Sequence, residues 1–578
     1  MADTVFRYEA ECPNLVPFAK LDGGRWVDVT AAQFAAEVKA AAKGLMASGI
    51  ELGDRVAILS ATRYDWVVLD YAIWTAGGCT VAIYETSSAD QARWILEDSA
   101  TSLLVVENST HAERVKDVAE AAPALREVLR IDAGALDELA TRGAGISDDA
   151  LHERRRQVCA SSPATLIYTS GTTGRPKGVQ LTHSNFYAES AAVQIALGDA
   201  MEEGKRTLMF LPLAHVFARA ISFGAFDAKV TVAHTADLTT LLDQFAVFQP
   251  NFILSVPRVF EKVYNSAKQK AEDGGKGKIF AAAADTAIAW SEAQDTGGAG
   301  LGLRLKHALF DKLVYAKLRT ALGGQCDRAV SGGAALGARL GHFFRGVGVP
   351  VYEGYGLTET SAAVTVNTTG HQKVGTVGKP VNGHAAKIAE DGELLVRGPV
   401  VFDGYWHNAQ ATADSIRDGW FHTGDLGSID TEGYVSITGR KKEIIVTAGG
   451  KNVAPAVLED ALRAHPLISQ CLVVGDAKPF IGALITLDPE ALPGWKERNG
   501  VPADASVADL IRHPDLVAEI DAAVSEGNKK VSNPEQIKKY RILDVDFTVE
   551  TGELTPTLKL KRNIIHTQHA EAIARIYT

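Results

Sequence analysis

Apolar residues in the first part of the chain recur with two different periods. Across residues 30–47 they fall at helical spacing (Phe34, Val38, Ala41, Leu45), with Thr30 placed to cap the start and Gly49 the end. Short apolar runs then alternate with helical patterns: a buried strand at Arg55–Leu59, a helix over 65–76, a strand over 80–84, a helix at Ala89–Asp98 and a strand over 102–107. That alternation predicts a layered α/β architecture with parallel strands, in which ligands sit at the carboxyl ends of the strands. Residues 237–321 read as mostly helical, broken by glycine-rich stretches at 272–278 and 296–302. Beyond Gly375 the pattern changes to short alternating strands at Ala385–Ile388 and Glu393–Arg397. Asp-Gly turns (Asp391-Gly392, Asp403-Gly404, Asp418-Gly419) join them, which predicts a small antiparallel β unit over about 375–437. Helix and strand segments follow, notably 456–464 and 470–474, and no internal repeat is visible.

One stretch carries most of the candidate chemistry. Residues 168–179 read YTSGTTGRPKGV after a strand-like run at 164–168. Glycines let successive backbone N–H groups turn toward an anion, while hydroxyls and Lys177 add donors for phosphate oxygens. The common nucleotide loop is excluded, because it needs four residues between its glycine and a Gly-Lys-Ser/Thr end. The bland alternative is a Thr/Gly-rich surface turn. Further candidates lie in MFLPLAHVFAR (209–219), VSGGAAL (330–336), YEGYGLTET (352–360), HTGDLG (422–427) and TGRKKEIIVTAGGKNVAP (438–455). Each taken alone could be a glycine turn or a satisfied core histidine. The 438–455 run, with Arg440, Lys441 and Lys442 before an apolar strand and a double glycine, also has the look of a linker between rigid bodies.

Composition narrows the class. A chain of 578 residues exceeds one ordinary hydrophobic core, so several subdomains are expected. A net charge of −11 argues against a nucleic-acid partner held by general electrostatics; the basic strip at 528–539 reads as a solvated helix face. Five cysteines, odd in number and far apart, fit neither a disulfide framework nor a zinc site and imply a reducing, cytoplasmic setting. The amino-terminal residues lack a basic start before an apolar core, and no run of about eighteen apolar residues occurs. Export and membrane spanning are therefore not expected, while peripheral membrane contact and oligomeric state stay open.

In order along residues 168–562, the motifs YTSGTTGRPKGV, LPLAHVFAR, VSGGAAL, YEGYGLTET, TGD, GRKKEIIVTAGGKN and PTLKLKR resemble the adenylate-forming superfamily of acyl-CoA synthetases, luciferases and peptide-synthetase adenylation domains. SVPRVFEKVY (255–264), the ELTPTLKLKR ending and an extra segment at about 490–540 look most like long-chain fatty acid CoA ligases. The resemblance implies an α/β fold. A large N-terminal domain (1–440) would bind ATP and the acyl group, a hinge would lie at 441–443, and a small mobile α+β domain would fill 444–578. It implies two half-reactions: a fatty carboxylate attacks the α-phosphate of ATP, and the coenzyme A thiol then attacks the acyl-adenylate and expels AMP.

The same resemblance implies roles residue by residue. Thr169, Ser170, Gly171, Thr172, Thr173, Gly174 and Lys177 would hold the β and γ phosphates, with Thr169 and Glu359 placing Mg²⁺. Tyr355 and the adjoining Gly356 would meet adenine, beside the backbone of Gly333 and Ala334. Thr358 would touch the α-phosphate, and Asp425 with Arg440 would hold the ribose. His215 would lie beside the substrate carboxylate, and Lys559 would bridge carboxylate and α-phosphate. Lys442 would be the hinge and Gly450 would line the path of coenzyme A. Leu558 departs from the pattern, since many members have glycine there. Two other readings stand beside the first: an acyl-adenylate ligase that delivers to a carrier protein or other acceptor, and a non-catalytic nucleotide or lipid binder on the same fold.

Overall fold

The computed structural model describes residues 1–169, 175–555 and 558–578. Its largest sheet has seven strands in the order Gly404–Tyr405, Lys177–Thr182, Pro163–Thr169, Cys79–Ile83, Arg55–Leu59, Leu103–Val106, Glu127–Arg130. The last five pair in parallel. Their middle strands are mostly apolar because helices cover both faces; Cys79–Ile83 has all its residues buried. The predicted helix at 30–47 is Ala31–Ala47, and Thr30 caps it by accepting from Gln33 N–H.

The phosphate-loop motif follows the expected strand: Pro163–Thr169 and Lys177–Thr182 pair antiparallel, with Thr169 opposite Lys177. One expectation needs correction, since Asp403-Gly404 is not a hairpin turn. Gly404–Tyr405 is a short edge strand against Lys177–Thr182, drawn across by Trp406 N–H donating to Gly178 O at 2.8 Å. In addition, the helical reading of 237–321 misses the strand Phe252–Ser255, a four-residue apolar run too short for periodicity to identify.

That strand opens a second sheet, Phe252–Ser255, Arg328–Ser331, Val351–Leu357, Ala362–Val366, Lys379–Pro380. The predicted antiparallel β unit is present, with Trp420–Ile429 pairing Glu393–Arg397 on one side and Val435–Arg440 on the other. Asp418 and Gly419, both at positive φ, turn Ile416–Arg417 back onto Trp420–Ile429.

From Ile445 onward the buried side chains form clusters of their own, around the strands Ile468–Val474, Ile481–Leu487 and Ile537–Ile542. This C-terminal unit meets the helix Pro257–Asp273 through ion pairs: Arg258 to Asp488 and Lys262 to Glu490, each at 2.7 Å. All five cysteines are free. Among the described residues no helix is long and apolar enough to cross a membrane.

Candidate active site

Strand ends from both large sheets and one turn of the C-terminal unit surround a cavity of about 900 Å³. Thr169 closes Pro163–Thr169, Gly332 and Gly333 follow Arg328–Ser331, and Thr358 and Glu359 follow Val351–Leu357; all line the cavity. Ligand placement at carboxyl strand ends is the rule for such sheets.

The Glu359 turn is shaped by close approach and hydroxyls. A Cβ at Gly356 would stand 1.4 Å from Ala362 O, so only glycine lets the two strands meet there. Ser361 and Ala362 take φ +56° and +128°, reversing the chain within two residues. Thr360 Oγ1 accepts from Leu357 N–H at 2.8 Å, and Ser361 Oγ donates to Val400 O at 2.7 Å. The result holds Thr358 and Glu359 toward the cavity. Glu359 Oε1 accepts from the Tyr405 hydroxyl at 2.8 Å, and the Tyr405 ring lies 4.9 Å from Lys177 Nζ.

His215 caps the helix Val216–Asp227. Its Nδ1 accepts from Phe217 N–H at 3.2 Å, so the neutral ring carries its proton on Nε2. Burial, reinforced by the Lys559 charge, pushes its pKa down to about 3. Opposite, Lys559 Nζ belongs to the C-terminal unit. The residue is exposed at the cavity, yet desolvation by the surrounding protein and then Arg440 hold its pKa below the usual lysine value. Leu558 beside it takes φ +61°, a backbone conformation that glycine adopts without strain.

Asp425 stands just behind the wall, 3% exposed. Its Oδ2 accepts from the Tyr355 hydroxyl at 2.6 Å and its Oδ1 from Arg440 Nε at 2.9 Å. Burial opposes the Arg440 charge, but Asp425 and then Glu443 outweigh it and raise the guanidinium pKa. Tyr355, Gly356, Arg440 and Lys442 line the cavity.

Not every candidate converges. Ser170, Gly171, Thr172, Thr173 and Gly174 lie outside the described residues. Ala334 is exposed and is not part of the cavity wall, unlike its neighbour Gly333. Gly450 sits away from the cavity in an exposed turn closed by its N–H donating to Thr447 O at 2.8 Å. Its φ of +76° strains any side chain placed there, although the space around it is open.

Sequence reasoning missed two residues of this site. Tyr405 was unremarkable in the sequence, since its strand is two residues long. Glu189 lies in the helix His183–Leu197 and is 1% exposed; its Oε1 accepts from Ala363 N–H at 2.8 Å, and its Oε2 has no hydrogen-bond partner. Burial pushes its pKa upward, and the residue lines the cavity. The signal was an acid followed by the apolar turn 191–193. Around it the cavity is apolar, lined by Val193, Leu197, Ile221, Val366 and Val381.

Comparison with known proteins agrees with this geometry. The family described as "AMP-binding enzyme" matches residues 8–406, and "AMP-binding enzyme C-terminal domain" matches residues 442–578. The chain is 59% identical to Long-chain-fatty-acid–CoA ligase FadD15 of Mycobacterium bovis, over 100% of this chain and 97% of that protein. It is 33% identical to Long-chain-fatty-acid–CoA ligase ACSBG2 of Gallus gallus, over 97% of this chain and 78% of that one. Among solved structures, the A domain of a carboxylic acid reductase from Segniliparus rugosus, in complex with AMP and a co-purified carboxylic acid, aligns with TM-score 0.77 and 20% identity over 100% of this chain and 94% of that chain. The anthranilate CoA ligase AuaEII with anthranoyl-AMP aligns with TM-score 0.75 and 19% identity, over 99% and 97%. These two show the fold.

Proposed function

The chain belongs to the AMP-binding enzyme family, and from that premise we propose that it activates a long-chain fatty acid with ATP to the acyl-adenylate and then forms the coenzyme A thioester, releasing pyrophosphate and AMP. The observation that carries this reading is the two-natured cavity, a cation-rich polar end continuous with an apolar arm. Lys177, Arg440 and Lys559 would neutralise phosphates and carboxylate as two anions approach, which is where fixed positive charge lowers a barrier most. Lys559 would bridge the carboxylate and the α-phosphate, and neutral His215 with its Nε2 proton would donate to a carboxylate oxygen. Asp425 retains lone pairs for ribose hydroxyls beyond those used by Tyr355 and Arg440. Val193, Leu197, Ile221, Val366 and Val381 would bury the acyl chain and exclude water from it.

Magnesium fits the residues present. Glu359 has one oxygen held by Tyr405, and it lines the same cavity as Thr169. One or two protein oxygens completed by phosphate and water is the usual magnesium arrangement. Bound there by Glu359 and Thr169, the ion would supply charge neutralisation to the phosphates.

The family's second half-reaction asks the C-terminal unit to withdraw Lys559 and bring the Gly450 turn to the cavity. Lys442, between the two units, would be the pivot. The ion pairs with Pro257–Asp273 suit such a motion, since polar contacts of this kind separate more readily than a shared apolar core.

The test is a panel of acids from acetate to stearate with ATP, reading AMP with and without coenzyme A. Each methylene buried in the apolar arm should raise kcat/KM about fourfold until the arm is full. A maximum at acetate, or at aromatic acids alone, overturns the long-chain reading. AMP release that ignores coenzyme A but needs another acceptor overturns the thioester step.

A further inference from the structure

The segment after the Gly297-Gly298 break forms the helix Leu301–Phe310, which continues through a wider turn at Asp311–Tyr315 into Ala316–Ala321. One face packs inward through Phe310, Tyr315 and Leu318. His307 stacks on Trp290 at 4.5 Å, and the Tyr315 hydroxyl donates to Ala283 O at 2.7 Å, which docks the segment antiparallel on the helix Gly277–Asp295. The opposite face is apolar as well. Leu301, Leu305, Leu309 and Leu313 recur every four residues and are 80%, 74%, 56% and 48% exposed. A helix apolar on both sides is not satisfied by its own chain, and an exposed stripe of large aliphatic side chains marks an interaction surface.

Charge says what covers the stripe. Between Leu301 and Arg319 the cations are Arg304, Lys306, Lys312, Lys317 and Arg319, and the one acid is Asp311, which Arg319 ties up at 2.7 Å. Among the described residues none of Arg304, Lys306, Lys312 and Lys317 has a carboxylate within ion-pair distance. This basic stretch belongs to a chain whose net charge is −11, so the local sign runs against the global one. Leucines flanked by long cationic side chains suit the boundary between acyl chains and anionic headgroups, where the cations reach phosphate while the leucines enter the apolar layer. A second copy of the same face would bring lysines against lysines.

We propose that Leu301, Leu305, Leu309 and Leu313, with Lys306, Lys312 and Lys317, form a docking surface for an anionic phospholipid bilayer. The long-chain reading gives the surface its use, because such acids partition into membranes. The surface itself is tested without any substrate.

The full chain is mixed with vesicles of phosphatidylcholine alone or with about one third phosphatidylglycerol and floated through a density gradient. The wild type should float with the anionic vesicles and be released by salt. Lys306→Glu with Lys312→Glu should weaken that binding at least about fivefold for each cation removed. Leu305→Ser with Leu309→Ser should abolish it, while ATP-dependent activation of a water-soluble medium-chain acid and the thermal melt stay unchanged in both variants. Undiminished flotation of the leucine variant overturns the proposal. So does sedimentation showing a wild-type dimer that the leucine variant splits, because the stripe would then be covered by a second copy.

Discussion

Beneath His215, the wall of the cavity is locked in place by a fully buried network. Arg219, 0% exposed, donates from Nε to Asp70 Oδ2 at 2.9 Å and from its first terminal nitrogen to Thr165 Oγ1 at 2.6 Å, inside a cage formed by Trp66, Trp74, Phe186 and Phe223. That network ties the helix carrying His215 to the strand that ends at Thr169. Across the cavity, Lys559 rides on a turn with Leu558 at φ +61° and 41% exposed, in a unit whose apolar clusters are separate from those of the larger body. The contrast teaches a division of labour. Groups that need not move are over-determined, whereas the turn proposed to leave between half-reactions carries a residue at positive φ and belongs to a unit that meets the larger body through ion pairs.

The sharpest way to break this comparison is to cut the buried pair. Arg219→Met leaves Asp70 as an uncompensated buried charge and should cost about 3–5 kcal/mol. Adding Asp70→Leu should recover most of that, because removing both charges leaves no orphan. Urea denaturation of the single and double variants checks it; equal stability of the two would mean that the pair does not act as a unit.

Lys559→Ala should have the opposite profile. Adenylation falls by about two to three orders of magnitude, the scale for removing one aimed charge, while the urea midpoint holds and supplied acyl-adenylate is still converted to the thioester. Because the lysine pKa is lowered, the ammonium form is full at low pH and is lost as pH rises through that depressed value. The adenylation rate of the wild type should therefore fall at a pH below the ordinary lysine range. A profile flat up to that range would contradict a role for the charge.

Acid bears on the larger body through its buried histidines. In the larger body burial pushes His183, His215 and His234 down to about 3, and both ring nitrogens of His234 lack partners. These rings are neutral when folded and protonated when unfolded below about pH 6.5. The unfolded state then binds more protons, so stability drops as pH falls from 6.5 toward 3, by at most about 1.4 kcal/mol per pH unit for each ring. His234→Leu should flatten part of that slope in denaturation series at pH 7 and pH 4. An unchanged slope would remove His234 from the account.

The smallest effect is expected at Leu558. Glycine there relieves left-handed strain of about 1 kcal/mol but adds freedom to the unfolded chain. Leu558→Gly should thus shift stability by less than about 1 kcal/mol and leave adenylation within about threefold. A large loss would show that the leucine side chain, and not only the backbone, holds the lysine turn.

Much of the architecture was legible in the sequence, since period and punctuation are local properties. Arg55–Leu59, Ala89–Asp98, Ala385–Ile388 and Glu393–Arg397 have the predicted bounds, and Thr30 caps the helix assigned to it. The ordered motifs likewise named Thr169, Lys177, His215, Tyr355, Glu359, Arg440 and Lys559, which the fold gathers around one cavity although they are hundreds of residues apart. What the sequence could not state is any fact that depends on who stands opposite. Asp403-Gly404 read as a turn until the edge of a distant sheet claimed it as a strand. Sequence reasoning did not single out Glu189, because its place depends on Ala363 N–H donating to one of its oxygens and on the other being buried without a partner. The leucines from 301 to 313 and the neighbouring Phe310 and Tyr315 are alike in pattern. Only packing on Gly277–Asp295 decided which face is core and which is left exposed, because hydrophobic periodicity records that a surface wants burial and not which surface buries it.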